Sequence, residues 1–294
     1  MKQFEPNYYK EFSCIADKCR HSCCIGWEID IDESTLEKYE KQAGKIGEKL
    51  RKNLVIEDGV SHFCLDENKR CPFLNENNLC EIILELGESN ISQICTDHPR
   101  FYNEFSERVE VGIGICCDEA ARIILSNEKT FLVQTEGGTE TEEEEEFFEW
   151  RTKLFEFVQN RNVPFDTRLR ILYDVGITDE IISLYKSLEC LDENWHEKLN
   201  DISDNYDFYG FEIPFEQLLM YFIYRHTPDA LYDGRYEERV AFSVLSVLII
   251  RAVFEKCEEQ TMENLIEISR MYSSEIEYSE ENTEKILEKL TCIL

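Results

Sequence analysis

The sequence predicts a mainly α-helical protein in two parts, a cysteine-rich N-terminal module of loops and short hairpins followed by an all-helical domain. Three observations predict it. Ten of the thirteen cysteines fall within the first 117 residues. The segment 135–146 (TEGGTETEEEEE) joins two glycines to a run of like charges that repel one another and bury little surface. Beyond Phe147, apolar residues recur at intervals of three and four, the period of a helix with one buried face. Together they set a module over 1–130, an acidic linker over 131–146 and a helical domain over 147–294.

Within the module, the alternation of 26–31 (GWEIDI) reads as a short strand. Asp32 or Ser34 can then cap one helix running through Leu36, Tyr39, Ile46 and Leu50. Polar turns at 66–68 and 75–78 separate short apolar pieces, which suggests small hairpins across 60–80. Brief helices follow at 81–86 and 91–95, split by Gly87 and ended before Pro99. A hairpin of 101–105 with 109–115 and a helix over 118–125 complete the module. In the second part, helices are expected at 147–159, 166–175, 179–199, 214–226, 237–257, 262–272 and 282–290.

Composition excludes several functions. A formal net charge of −31 disfavours nucleic-acid binding, which needs clustered Lys and Arg, and suits cationic partners. The opening residues MKQFEPNYYKEF contain no apolar core of a secretory signal, so none is expected. The longest apolar run, 240–250, is bounded by Arg239 and Arg251 and is about half the roughly 20 residues needed to span a bilayer. No membrane insertion and a cytoplasmic location are expected. In a reducing compartment, clustered cysteines are metal ligands or redox groups more often than disulfides.

Cys14-x4-Cys19-x3-Cys23-Cys24 places four soft donors in about ten residues, suited to tetrahedral zinc or an iron–sulfur cluster. A second group comprises Cys64, Cys71-Pro72, Cys80, Cys95 and Cys116-Cys117, while Cys190, Cys257 and Cys292 stand alone as packing residues. His21 and His98 compete as ligands. No Cys-x2-Cys pair occurs, so a two-plus-two zinc ribbon does not fit, and neither does the radical S-adenosylmethionine pattern Cys-x3-Cys-x2-Cys.

Phe12-Ser13-Cys14, Cys19, Cys23-Cys24-x-Gly26-Trp27, Cys71-Pro72-Phe73-Leu74, Leu79-Cys80, Cys95-x3-Pro99-Arg100 and Cys117-x-Glu119-Ala120-Ala121-Arg122 resemble the flagellin lysine N-methylase (FliB-type) family. The N-terminal half is similar to zinc- or iron-chelating cysteine-cluster domains as well. The resemblance continues through Leu218-Leu219-x-Tyr221-x2-Tyr224-Arg225-His226 and Tyr272-Ser273-x2-Ile276-Glu277-x-Ser279-Glu280-Glu281-Asn282. Departures are Asp118 in place of a proline, Ser274 and Tyr278 in place of an arginine and a histidine, and His98 in place of an apolar or aromatic residue. Cys64 and Cys116 lie outside the pattern.

The resemblance implies methyl transfer from S-adenosylmethionine to lysines of flagellin, or of another lysine-bearing protein, by a chain that carries a 4Fe-4S cluster or, alternatively, zinc. The implied metal ligands are Cys14, Cys19, Cys23, Cys24, Cys71, Cys80, Cys95 and Cys117. A glycine-rich dinucleotide motif is missing, since Gly112-x-Gly114 lacks the remaining spacing. Lysine amines titrate near 10.4 and must lose a proton before attacking a methyl group. A site must also surround the sulfonium with aromatic faces or carboxylates. Tyr221, Tyr224 and Arg225, at i, i+3 and i+4 of one helix, suit this. Tyr221 and Tyr224 are the expected catalytic residues, and Arg225 and His226 the expected cofactor-binding ones. Two other readings remain: a zinc or iron storage or chaperone module, and a cysteine redox sensor.

Overall fold

The computed structural model describes residues 2–57, 59–135, 142–174, 176–204 and 207–294. The chain forms two compact units, Ser13–Phe101 and a larger one made of Met1–Phe12 with Tyr102–Leu294. The division therefore falls at 13 and 101 rather than at 130. Of the expected linker, 136–141 lies outside the described residues, while its flanks are a strand and a helix.

The larger unit opens with β1 (Lys2–Pro6), a strand that the sequence pattern did not suggest. In the smaller unit come α1 (Glu33–Lys41) and α2 (Gly44–Lys52). The single helix expected here breaks because Gly44 takes φ +76° and α2 folds back on the end of α1. A Cβ at Gly47 would lie 2.0 Å from the Gln42 carbonyl, so only glycine permits that approach. Arg51 Nη1 donates to the same carbonyl at 2.8 Å and closes the end of α1. At the other end, Asp32 caps α1 by accepting from Thr35 N and also accepts from Gln93 N at 2.9 Å.

β2 (Leu54–Glu57) and β3 (Val60–Phe63) pair antiparallel. The expected strand at 26–31 reduces to one isolated bridge, Asp30 with His62, preceded by another at Ile25 with Arg70, and its alternation reflects burial of Ile29 and Ile31. Downstream of β3, Asp66 and Asn75 each accept from backbone N–H groups two and four residues on, and the second turn closes a minimal hairpin through the antiparallel bridge of Leu74 with Cys80. Then follow α3 (Glu81–Leu86) and α4 (Gln93–Asp97). The core of this unit is Ile29, Ile31, Tyr39, Leu50, Phe63 and Phe73 with their neighbours.

β4 (Arg100–Glu104) and β5 (Arg108–Ile113) form the expected hairpin, and β5 also pairs with β1 in parallel. The sheet order is β4-β5-β1-β6, with β6 (Leu132–Gln134) antiparallel to β1. Glu110 on β5 is fully buried between Arg108 and Arg151, and the Arg108 guanidinium lies between the rings of Phe4 (3.6 Å) and Phe148 (3.7 Å).

The remaining helices are α5 (Asp118–Leu125), α6 (Glu142–Val158), α7 (Phe165–Leu172), α8 (Asp179–Ser187), α9 (Glu193–Lys198), α10 (Glu212–His226), α11 (Ala230–Asp233), α12 (Tyr236–Glu255), α13 (Met262–Tyr272) and α14 (Glu280–Ile293). From Phe147 on, the described residues contain no strand, so this part is all-helical as expected, although it shares its unit with the sheet. α12 is buried on every face from Arg239 to Phe254 and packs on α7, α10, α13 and α14. No helix is long and apolar enough to cross a membrane among the described residues.

The helix expected over 179–199 is two helices. The C-terminal motif holds the break open: Glu275 accepts from Leu191 N and Asp192 N at 2.7 and 3.0 Å, and the Asn282 side chain pairs with both backbone groups of Glu189. These side chains replace the intrahelical bonds that the loop gives up.

Candidate functional site

Two constellations stand out, one in each unit. In the smaller unit, Cys24, Cys71, Cys80 and Cys95 gather against one hydrophobic core from four separate segments. Cys71 follows the turns at 64–70, Cys80 caps the N-terminus of α3, and Cys95 lies on α4. Their charges interact: Cys71 feels Cys24, Cys80 and Cys95, and Cys95 feels Cys24 and Cys80. Burial pushes Cys71 up to about 12 and Cys95 to about 11, and raises Cys80 as well. Cys24 goes the other way, to about 7, through a hydrogen bond from Cys23, assisted by Ser22 and the Arg70 charge against the opposing effect of burial.

The Tyr39 hydroxyl, 1% exposed, has no hydrogen-bond partner among the described residues and lies within electrostatic reach of Cys95, Cys80 and Cys71. Four soft donors that cannot all ionise on their own, beside an unused buried O–H donor, fit a metal or iron–sulfur centre. Such a centre supplies the missing positive charge and accepts hydrogen bonds on its sulfurs.

The other expected ligands are placed differently. Cys14 and Cys23 are exposed, and Cys19 Sγ donates to the His21 carbonyl at 2.9 Å. Cys117 belongs to the larger unit, next to Cys116. His98 is half-buried, edge-on to Trp27 at 5.2 Å, and desolvation lowers it to about 4.

In the larger unit the second constellation centres on Glu277. α13 widens into a π-helical turn, Ser273–Glu277, in which Tyr278 N donates to Ser273 O, five residues back. The Glu277 carboxylate, fully buried, accepts from Tyr221 Oη (3.1 and 3.2 Å), pairs with His226 Nε2 (2.6 Å) and lies 3.4 Å from Arg225 Nε. Burial would raise its pKa, but the Arg225 charge and the His226 hydrogen bond hold it below the usual carboxylate range. Burial lowers His226, which keeps the imidazole neutral at pH 7. Tyr221 Oη also accepts from Arg225 Nη1 (2.8 Å) and Ile115 N (3.3 Å).

Tyr224, expected beside them, turns elsewhere: its hydroxyl donates to Val111 O at 2.9 Å, and its ring lies 5.5 Å from the Arg151 guanidinium. Both tyrosines are 1% exposed. Tyr221, Arg225 and His226 thus converge on a carboxylate, and Tyr224 packs against the sheet.

Sequence reasoning passed over three members of this group. Glu277 stood inside the quoted C-terminal motif. Cys116, set aside as off-pattern, has its Sγ 3.0 Å from Tyr278 Oη, and burial raises it to about 12. Tyr278, one of the departures from the pattern the resemblance implies, stacks under the Arg225 guanidinium at 5.0 Å. It also borders a small hollow of about 190 Å³ lined by Leu191, Ser274, Glu275 and Asn282.

Residues 173–291 match the FliB lysine N-methylase C-terminal domain. The chain is 29% identical over 146 residues to the lysine-N-methylases of Salmonella typhimurium and Salmonella choleraesuis, covering 45% of this chain and 36% of theirs. It is 29% identical over 131 residues to the flagellar biosynthetic protein FliU of Salmonella muenchen, covering 42% of this chain and 76% of that protein. The chain thus spans only about a third of the lysine-N-methylases it matches. No solved structure matches it. The resemblance to the FliB family holds, and the family match contains Tyr221, Arg225, His226 and Glu277 while lying outside the cysteine-rich unit.

Proposed function

We propose that this chain is a protein-lysine N-methyltransferase that takes its methyl group from S-adenosylmethionine and acts on flagellin or another lysine-bearing protein in the cytoplasm. The observation that carries the reading is the family match over the helices and the π-turn that build the Glu277 constellation. S-adenosylmethionine supplies a methyl carried on a sulfonium. Arg225 and His226 are occupied by Glu277, so their role is to fix this carboxylate and the Tyr221 hydroxyl rather than to hold the donor directly. Tyr278 and Cys116 form the less buried rim of the same group.

Cys24, Cys71, Cys80 and Cys95 would hold a 4Fe-4S cluster, whose role is to organise a unit with a modest apolar core. A sulfonium methyl transfer needs no redox step, which supports an organising role.

The test is incubation of anaerobically purified full-length protein with S-adenosylmethionine and a cognate flagellin, read by mass spectrometry of the lysines. Methylated lysines are expected. An intact cluster with no transfer to flagellin or to other lysine-bearing proteins defeats the methylase reading. Iron and sulfide near four each per chain are expected on analysis, and a colourless protein holding only zinc defeats the cluster reading.

A further inference from the structure

A groove of about 890 Å³ in the larger unit belongs to neither constellation. It lies among α6, α7, α11 and α12. Trp150 and Tyr236 meet edge to face at 5.2 Å, and Phe147 backs both at 5.7 and 6.3 Å. Tyr173 adds a fourth ring, and Leu154, Leu172 and Val240 complete an apolar floor. Two carboxylates, Glu146 and Glu237, enter the lining, and no lysine, arginine or histidine does. Neither glutamate has an ion-pair partner among the described residues. Glu146 is the last residue of the acidic run, on a chain of net charge −31.

Aromatic faces beside unpaired carboxylates are the surroundings that stabilise an ammonium group, while an aliphatic stem lies on apolar walls. We propose that this groove receives the side chain of a lysine from a protein partner, the charged end held by Glu146, Glu237 and the Trp150 and Tyr236 rings. The proposal rests on the methylase reading for the identity of the partner, and it assigns to that reading a substrate-recognition surface. The local charge favours this occupant: an anionic ligand would meet two carboxylates, and a neutral apolar segment would leave them desolvated and unpaired.

The test uses the full chain and a pair of twelve-residue peptides that differ only in one central lysine or its uncharged isostere norleucine. Binding is followed by tryptophan fluorescence. The lysine peptide is expected to bind saturably and about tenfold more tightly than the norleucine peptide. The double variant Glu146→Gln/Glu237→Gln is expected to remove that preference with an unchanged circular dichroism spectrum, and Trp150→Phe to reduce the signal. Equal binding of the two peptides, a preference that survives in the double variant, or displacement of the peptide by S-adenosylmethionine overturns the proposal. In methyl transfer, the double variant should lose activity through KM rather than kcat. Peptide preference without any methyl transfer would defeat the methylase reading and leave the groove standing. Transfer with an unaltered KM in the double variant would defeat the groove alone.

Discussion

The two units bury their functional groups in opposite ways. In the larger one, the Glu277 constellation is closed within the protein itself: each charge finds an opposite charge or a hydroxyl, and α12 beside it is buried on all sides. In the smaller one, four thiols occupy places that hydrophobic side chains would otherwise fill, and the Tyr39 hydroxyl among them has no hydrogen-bond partner among the described residues. The Glu277 group thus draws its partners from the polypeptide, whereas the four thiols and the Tyr39 hydroxyl would find theirs in the centre proposed for the smaller unit.

The sharpest test of this contrast is removal of the proposed metal centre. A metal centre held by thiolates contributes on the order of 10 kcal/mol to folding. Chelation, or Cys71→Ser, should therefore raise amide exchange throughout Ser13–Phe101 and leave α10 and α12 protected. Uniform loss of protection in both units would break the comparison.

Glu277→Gln is the converse. It leaves half-buried Arg225 beside a neutral partner, and breaking such a pair costs up to about 3–5 kcal/mol. The loss should appear in chemical denaturation of the larger unit while bound metal is unchanged. Simultaneous loss of metal would show that the units are not independent in this respect.

Acid provides a graded version. Both Glu277 and His226 have folded pKa values depressed below 4.5 and 6.5, respectively, so the unfolded chain takes up their protons first. Their contribution to stability is complete above pH 6.5 and declines as pH falls, first through His226 and then through Glu277. A pH series of denaturation midpoints should show this decline, and Glu277→Gln should flatten its lower end. A midpoint that rises on acidification would contradict the assignment.

The smallest expected effect is at Asp32, which caps α1 and tethers Gln93 N ahead of α4, the helix that carries Cys95. Asp32→Ala should cost about 1–2 kcal/mol, confined to the smaller unit. An effect below a few tenths would show that the cap is replaced by water.

Sequence pattern located α3, α5, α10, α12 and α13 closely, because each is a continuous stretch rich in apolar residues, and α10 and α12 are buried on nearly every face. It failed at 179–199, where the residues have good helical spacing. Glu275 and Asn282, some ninety residues away, satisfy the backbone of a loop there that local propensity does not foresee. It failed at β1 for a related reason, since the partners of Lys2, Gln3 and Phe4 are Arg108, Val109 and Glu110.

The site divides along the same line. Residue identity and order were enough to single out the cysteine-rich region, the Tyr221–His226 helix and the motif around Glu277, and to suggest the family, because soft donors and charged residues within apolar stretches are informative wherever they occur. Which cysteines converge, that Tyr224 leaves the group, and that Cys116 and Tyr278 join it were decided by the tertiary structure. Those choices depend on packing between segments far apart in the chain, and spacing along a sequence carries no measure of distance once the chain folds back on itself.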